Sequence, residues 1–189
     1  MSKNQELLDE ILGILRTVMD DREKLEIIHN FFLNEIYEEP AKANLIFELK
    51  IPKKYKKIVP QIADSLNAGL VCFLNIDTLE VEDVPESLAT DPDEYELMTG
   101  ESFEDLDLKY LKWDNFIEIH PPGSNVSYSY MTDFAEALPN CSFKQRAFQA
   151  LEQKRPFANF KYLVENSDYS QDWFDYKQNR LEEYVLEFI

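Results

Sequence analysis

The chain has 189 residues and a net charge of −18, from 37 Asp and Glu against 19 Lys and Arg. An excess of acid this large repels phosphate backbones and anionic lipid headgroups, so it argues against nucleic-acid and membrane partners. Its apolar runs are too short to cross a bilayer, its polar N-terminus is unlike a signal peptide, and its two cysteines match neither a metal motif nor a disulfide framework. We therefore expect a cytoplasmic protein without a cofactor or a bound metal.

The charge is concentrated in one part of the chain. Residues 76–118 hold fifteen Asp and Glu, opposed only by Lys109 and Lys112. Just before them, the stretch KIPKKYKK at residues 50–57 holds five lysines. The two segments form a dipolar surface if they stay apart, or a layer of ion pairs if they pack together.

The first forty residues predict a helical hairpin. Apolar residues at helical spacing run from Leu7 to Val18, and Asp20-Asp21 marks a break and a cap for the next helix. The second apolar stripe, which ends before Pro40, consists of Leu25, Ile28, Phe32 and Ile36. Helices of this length are marginal alone, so they must pack on the C-terminal helices or on another subunit. Periodicity does not decide between a helix and a strand for residues 42–51.

Residues 55–85 show a mixed pattern. They start extended, continue as a short helix that ends at Asn67–Gly69, and then read as two strands with a turn at Asp77-Thr78. A loop with one or two short helices is predicted for residues 86–112. The apolar side chains that alternate along the strand pair are Val71, Phe73 and Val81.

A third strand and a run of helices follow. The strand lies within residues 115–122, where two prolines stop it. The predicted helices are 124–138 with Ser124 as its N-cap, one containing Phe143 to Leu151, one with Pro156 in its first turn, and one from about Tyr169 to Glu187. The apolar stripe of the last helix is Phe174, Leu181, Val185 and Phe188. Strands in a block before helices indicate an α+β fold, with an antiparallel sheet of about three strands packed on a C-terminal helical bundle.

Four blocks in the C-terminal two-thirds occur in a specific order. They are VCFLNIDTLEVEDVPE, WDNFIEIHPPGSNVSYSYMTDFAEAL, RPFANFKYLV and WFDYKQNRLEEYVLEF. Through them the chain resembles uncharacterised protein family 0158, a bacterial family, over roughly residues 50–189. The N-terminal helices lie outside the match, and the acidic insert after Pro85 is longer. We therefore expect an α+β domain at 50–189 after a helical extension at 1–49, and the resemblance implies no catalytic residues.

The block RPFANFKYLV, residues 155–164, has two interpretations. On a helix, Phe157, Phe160 and Val164 share a face, which predicts core packing. In this interpretation, arginines near the bundle bond to carboxylates or to carbonyl groups at helix ends. The alternative is a patch of basic and aromatic side chains that anchors a partner. The candidate interaction residues are Arg155, Lys161, Trp173 and Arg180.

The acidic segment contains a partial match to a calcium loop. Its acidic positions are Asp91, Asp93, Glu94 and Glu96. The positions that require a glycine and a final glutamate hold Glu96 and Ser102, so the motif fails. We interpret the four residues as candidate interaction residues in a solvated segment.

His120 is the candidate for chemistry, because it precedes two prolines at a strand end. In one interpretation Cys141 and His120 form a nucleophile–base pair; in the other, Cys141 is a small buried thiol. Cys72 is expected in the core. The sequence has no glycine-rich phosphate loop, no GxSxG and no HExxH.

Together these features favour a non-enzymatic acidic protein that interacts with or regulates another protein. A basic partner would suit the acidic segment, which could steer association. One alternative is an enzyme with a site near His120, where acidic groups of residues 114–118 would converge. A second is an inhibitor or immunity-type protein that mimics the charge of nucleic acid. Direct nucleic-acid binding through residues 50–57 is opposed by the rest of the charge. The oligomeric state is left open.

Overall fold

The computed structural model describes residues 3–31, 49–139 and 142–189. The described residues fall into two compact units, one within Met1–Lys42 and the other within Ala43–Ile189. The predicted α+β class is confirmed, since helices accompany a three-stranded antiparallel sheet. In the described ranges, every helix is too short or too polar to cross a membrane. Most of residues 42–51, whose structure the sequence left undecided, lie outside these ranges.

The first unit contains α1 (Lys3–Thr17) and α2 (Arg22–Phe31). The predicted break and cap between them are confirmed, because Oδ1 of Asp21 accepts a hydrogen bond from the backbone N–H of Lys24 at 3.1 Å. Phe32 and Ile36 of the predicted second stripe lie outside the described residues. Much of the apolar surface of both helices is exposed, including Leu7, Ile14 and Ile27.

The first element described in the second unit is a 3-10 turn, Lys53–Tyr55, where the sequence predicted an extended start. The turn forms because Pro52 fixes its own φ and its carbonyl accepts a hydrogen bond from the backbone N–H of Tyr55 at 2.9 Å. The sheet consists of β1 (Leu70–Asn75), β2 (Val81–Pro85) and β3 (Phe116–Ile119). The helices are α3 (Ile58–Asn67), α4 (Glu86–Thr90), α5 (Pro92–Thr99), α6 (Ser124–Ala137), α7 (Ser142–Glu152), α8 (Pro156–Glu165) and α9 (Ser170–Leu186).

Strand β1 is the centre of the sheet. The order is β2-β1-β3 and both pairings are antiparallel. Directly opposite residues share a face, so the pairing of Leu74 with Val81 places Val81 opposite the face of Val71 and Phe73. Val81 therefore packs towards the main core, whereas Val71 and Phe73 lie in the second core, a division that the predicted alternation did not specify. All residues of β1 after Leu70 are buried, because both faces are covered.

The turn between β1 and β2 is organised by Asn75. Its Oδ1 accepts hydrogen bonds from the backbone N–H groups of Asp77 and Thr78, each at 2.9 Å. This asparagine turn confirms the predicted position of the hairpin. Leu79 takes up a left-handed φ of 62°, and its side chain packs against the main core.

The main core joins one face of the sheet to the helices. Cys72, Leu74 and Ile119 from the strands pack with buried side chains of α3, α6, α7, α8 and α9. At its centre, the rings of Phe160 and Trp173 meet edge to face with centroids 5.1 Å apart, and Trp173 meets Phe134 at the same distance. This aromatic cluster ties α6, α8 and α9 together.

The other face of the sheet carries a second core, which folds the acidic segment. The Tyr110 ring stacks on Phe73 with centroids 3.8 Å apart. The carboxylate of Glu82 accepts hydrogen bonds from the backbone N–H groups of Lys109 at 3.1 Å and of Tyr110 at 2.6 Å. Residues 76–118 are therefore a folded lobe with short helices, which we call the acidic lobe.

Three details of the helices differ from the sequence predictions. The N-cap of α6 is Gly123, and Ser124 is already inside the helix. On α9 the buried stripe is Tyr176, Leu181 and Val185, whereas Phe174 and Phe188 are exposed. On α8, Phe160 and Val164 are buried but Phe157 is not. Helical spacing places residues near one another, but the neighbouring elements decide how wide the covered stripe is.

The two phenylalanines of α8 provide a test of this packing. We expect Phe160→Ala to cost about 3–5 kcal/mol in the free energy of unfolding, because the ring is fully buried. We expect Phe157→Ala to cost about 1 kcal/mol or less, because that side chain is 42% exposed. Urea unfolding followed by circular dichroism measures both. Equal losses for the two variants would contradict the assignment.

The Cys72 thiol provides a second test. Burial is the main cause that raises its pKa to about 12; a hydrogen bond from Ser65 opposes the shift and the nearby Asp83 carboxylate adds to it. At pH 8 such a thiol is ionised in roughly one molecule in 10⁴. In a Cys141→Ser variant, where Cys72 is the remaining thiol, we expect Ellman's reagent to react only as fast as the protein unfolds. The control is the same variant in guanidinium, which should react rapidly; rapid reaction in native buffer would show that Cys72 is accessible.

Candidate functional site

A cleft of about 500 Å³ lies between α6, α8 and α9, with Asn67 of α3 at its margin. Its walls are largely aromatic. Phe157 and Phe160 are three residues apart and share a face of α8, and α9 contributes the adjacent Trp173 and Phe174. The buried rings pack in the main core, and the exposed rings continue this apolar surface along the cleft to the solvent.

Two ammonium groups face the same cleft. Lys161 follows Phe160 on α8, and Lys177 lies one turn after Trp173 on α9. The Nζ of Lys177 donates a hydrogen bond to Oδ1 of Asn67. Burial lowers the pKa of Lys177, the charge of Lys161 lowers it further, and Glu165 opposes both. The Nζ of Lys161 is 3.7 Å from Oε1 of Glu165, an exposed pair. This arrangement suits an anion with an apolar body better than acid–base chemistry.

Arg180 does not line this cleft but lines a separate depression, and Tyr130 lines both. Its guanidinium contacts Oε2 of Glu183 at 2.8 Å and Oδ2 of Asp133 at 3.5 Å, and it lies 5.0 Å from the centroid of the Tyr130 ring. In the described part of the chain its buried Nε has no hydrogen-bond partner. These contacts join α9 to α6, so Arg180 bonds to carboxylates within the bundle.

The structure brings together only part of the predicted set. Lys161 and Trp173 both line the cleft. Arg155 is exposed at the start of α8 with a left-handed φ of 63°. The Nε2 of His120 lies 2.8 Å from Oε1 of Glu118, and both side chains are partly exposed. Cys141 lies outside the described residues, so its pairing with His120 stays a prediction.

The four acidic candidates lie together on or beside α5. Oδ1 of Asp91 accepts a hydrogen bond from the backbone N–H of Glu94 at 3.0 Å, so Asp91 is the N-cap of this helix. Asp93, Glu94 and Glu96 are exposed on it. Across the described residues, no group of three or more His, Cys, Asp or Glu is placed to hold a metal ion.

The lysines of residues 50–57 do not neutralise the acidic lobe. All five are exposed, and among the described residues no ion pair within 4.0 Å joins them to residues 76–118. The two lysines of the lobe pair within it, Lys109 with Glu80 at 2.9 Å and Lys112 with Asp107 at 2.6 Å. Among the described residues, the two segments therefore do not form the predicted layer of ion pairs.

Sequence reasoning missed functional candidates on both surfaces. It did not single out Lys177 or Asn67, although Lys177 lies four residues after Trp173 and must share its helix face. It also missed Leu97 and Met98, whose side chains are 86% and 74% exposed on α5. The helical spacing from Trp173 could have indicated Lys177. The exposure of Leu97 and Met98, in contrast, is decided only when the chain is folded.

No protein-family model and no solved structure matches the chain significantly. A curated protein, UPF0158 protein PA5073 of Pseudomonas aeruginosa, is 29% identical over 77 residues, which make up 40% of this chain and 50% of that protein. The chain thus spans about half the length of this relative. The match confirms the resemblance to uncharacterised protein family 0158 over a segment, and the remainder of residues 50–189 stays an expectation.

Proposed function

We propose that the chain is a protein-interaction or regulatory protein that binds a basic partner through its acidic lobe. One observation carries the proposal: the carboxylates of residues 76–118 are exposed on a folded segment. Of the fifteen carboxylates in residues 76–118, all except Glu82 belong to exposed residues. The second core holds the segment against the sheet, so the charges are presented by an ordered surface.

Helix α5 supplies apolar contacts within this charge. It is a short helix, capped by Asp91 at its start and by Gly100 with a left-handed φ of 76° at its end. The exposed Leu97 and Met98 are large apolar side chains, and Glu94, Glu96 and Glu101 lie close to them in the sequence. A pairing of apolar anchors with a polar rim is typical of protein interfaces, and methionine adapts to irregular partner surfaces.

The charge determines the chemistry of the partner. Carboxylates at this density attract Lys- and Arg-rich surfaces and accelerate their association. Leu97 and Met98 then provide apolar contacts, which hold the complex together after the charged groups have lost their water. We therefore expect a partner segment that carries basic residues around one or two apolar side chains.

The test is a pull-down from the native lysate with the full chain and three variants. In the first, Asp93→Asn, Glu94→Gln and Glu96→Gln remove charge but keep the Asp91 cap. In the second, Leu97→Ser and Met98→Ser remove the anchors. We expect both to lose a basic protein that the unmodified chain retains at about 50 mM salt and releases at about 500 mM.

The matched control neutralises three exposed carboxylates outside the lobe, with Glu136→Gln, Glu152→Gln and Asp168→Asn. It raises the net charge by the same amount and should retain the partner. If all four proteins retain the same set, or if none retains a basic protein, the proposal is wrong. Duplex DNA as a competitor tests the version in which the lobe mimics nucleic acid, because DNA would then release the partner.

A further inference from the structure

We propose that the cleft between α6, α8 and α9 binds a small molecule with a flat aromatic body and one anionic group. The site lies in the main core, away from the second core that supports the acidic lobe. The inference therefore does not rest on the function proposed above.

The first argument is the placement of positive charge. In a chain with a net charge of −18, two ammonium groups face one cleft. Lys177 is bonded to a neutral amide, Asn67, and its burial and the neighbouring Lys161 both disfavour its charged form. A ligand anion between the two lysines would offset both effects. Glu165 also lines the cleft, but its carboxylate is 3.7 Å from Lys161, which is too long for a strong hydrogen-bonded pair, and the two lysines outnumber it.

The second argument is the shape and chemistry of the walls. Phe157 and Phe174 remain 42% and 57% exposed while facing the cleft, so apolar ring surface is left in contact with solvent. Trp173 also lines the cleft, and its ring meets that of Phe160 edge to face. A volume of about 500 Å³ is typical of pockets for small molecules. A flat ring against these side chains would bury apolar area on both of its faces.

The two arguments identify complementary parts of one ligand. The aromatic walls select the flat body of the ligand, and the lysines select its anionic group.

The test therefore compares two probes with the same ring system, naphthalene-2-carboxylate and its neutral amide, by isothermal titration calorimetry on the full chain. We expect the carboxylate to bind roughly tenfold or more tightly than the amide, because a charge-assisted hydrogen bond to Lys177 is lost in the amide.

Variants assign that difference to the cleft. Lys177→Met should weaken carboxylate binding about tenfold and leave amide binding nearly unchanged. Lys161→Met, at a more exposed position, should have a smaller effect in the same direction and cannot disturb a buried contact. Lys112→Met makes the same charge change on the acidic lobe and should leave both affinities unchanged. Circular dichroism confirms that each variant is folded.

Several results would overturn the proposal. One is equal affinity for the carboxylate and the amide, which would make the cleft merely apolar. Another is a loss in Lys112→Met as large as that in Lys177→Met, which would make the effect one of overall charge. Failure of both probes to bind would also exclude it. Probe binding that survives Asp93→Asn, Glu94→Gln and Glu96→Gln separates this site from the interaction surface of the acidic lobe.

Discussion

The burial of β1 on both faces is the constraint on which the rest of the second unit depends. A central strand covered on one side can belong to a single core, but this strand divides its side chains between two. Cys72 and Leu74 enter the main core with the helices, whereas Val71 and Phe73 enter the core of the acidic lobe. Successive side chains of a strand point to opposite faces, so alternate residues of β1 support the helices on one face of the sheet and the acidic lobe on the other.

The main core and the cleft are parts of one packing arrangement. The edge-to-face contacts of Phe134, Phe160 and Trp173 fix the separation of α6, α8 and α9. Neighbouring residues on α8 and α9 then line the cleft beside these rings. RPFANFKYLV is consequently both an internal helix, through Phe160, and a lining of the cleft, through Phe157 and Lys161.

The charge distribution follows the same division. Fifteen of the 37 Asp and Glu residues lie in the lobe, whose core contains few apolar side chains, and the two lysines of the cleft lie on the helical side. Polar atoms of the lobe are used to hold its backbone, as in the contacts of Glu82 with residues 109 and 110. A small core needs such hydrogen bonds, because it buries little apolar surface.

The sequence by itself determined the elements and their order. Alternation and turn residues located the strand pair and β3, helical spacing located the bundle, and Pro156 marked the start of α8, because these signals act within a few residues. Only the tertiary structure decided that Val81 pairs with Leu74, that Phe174 is exposed, and that Lys177 meets Asn67 from 110 positions away. Such contacts depend on how elements pack across the fold, and local periodicity carries no information about which distant residue will cover a face.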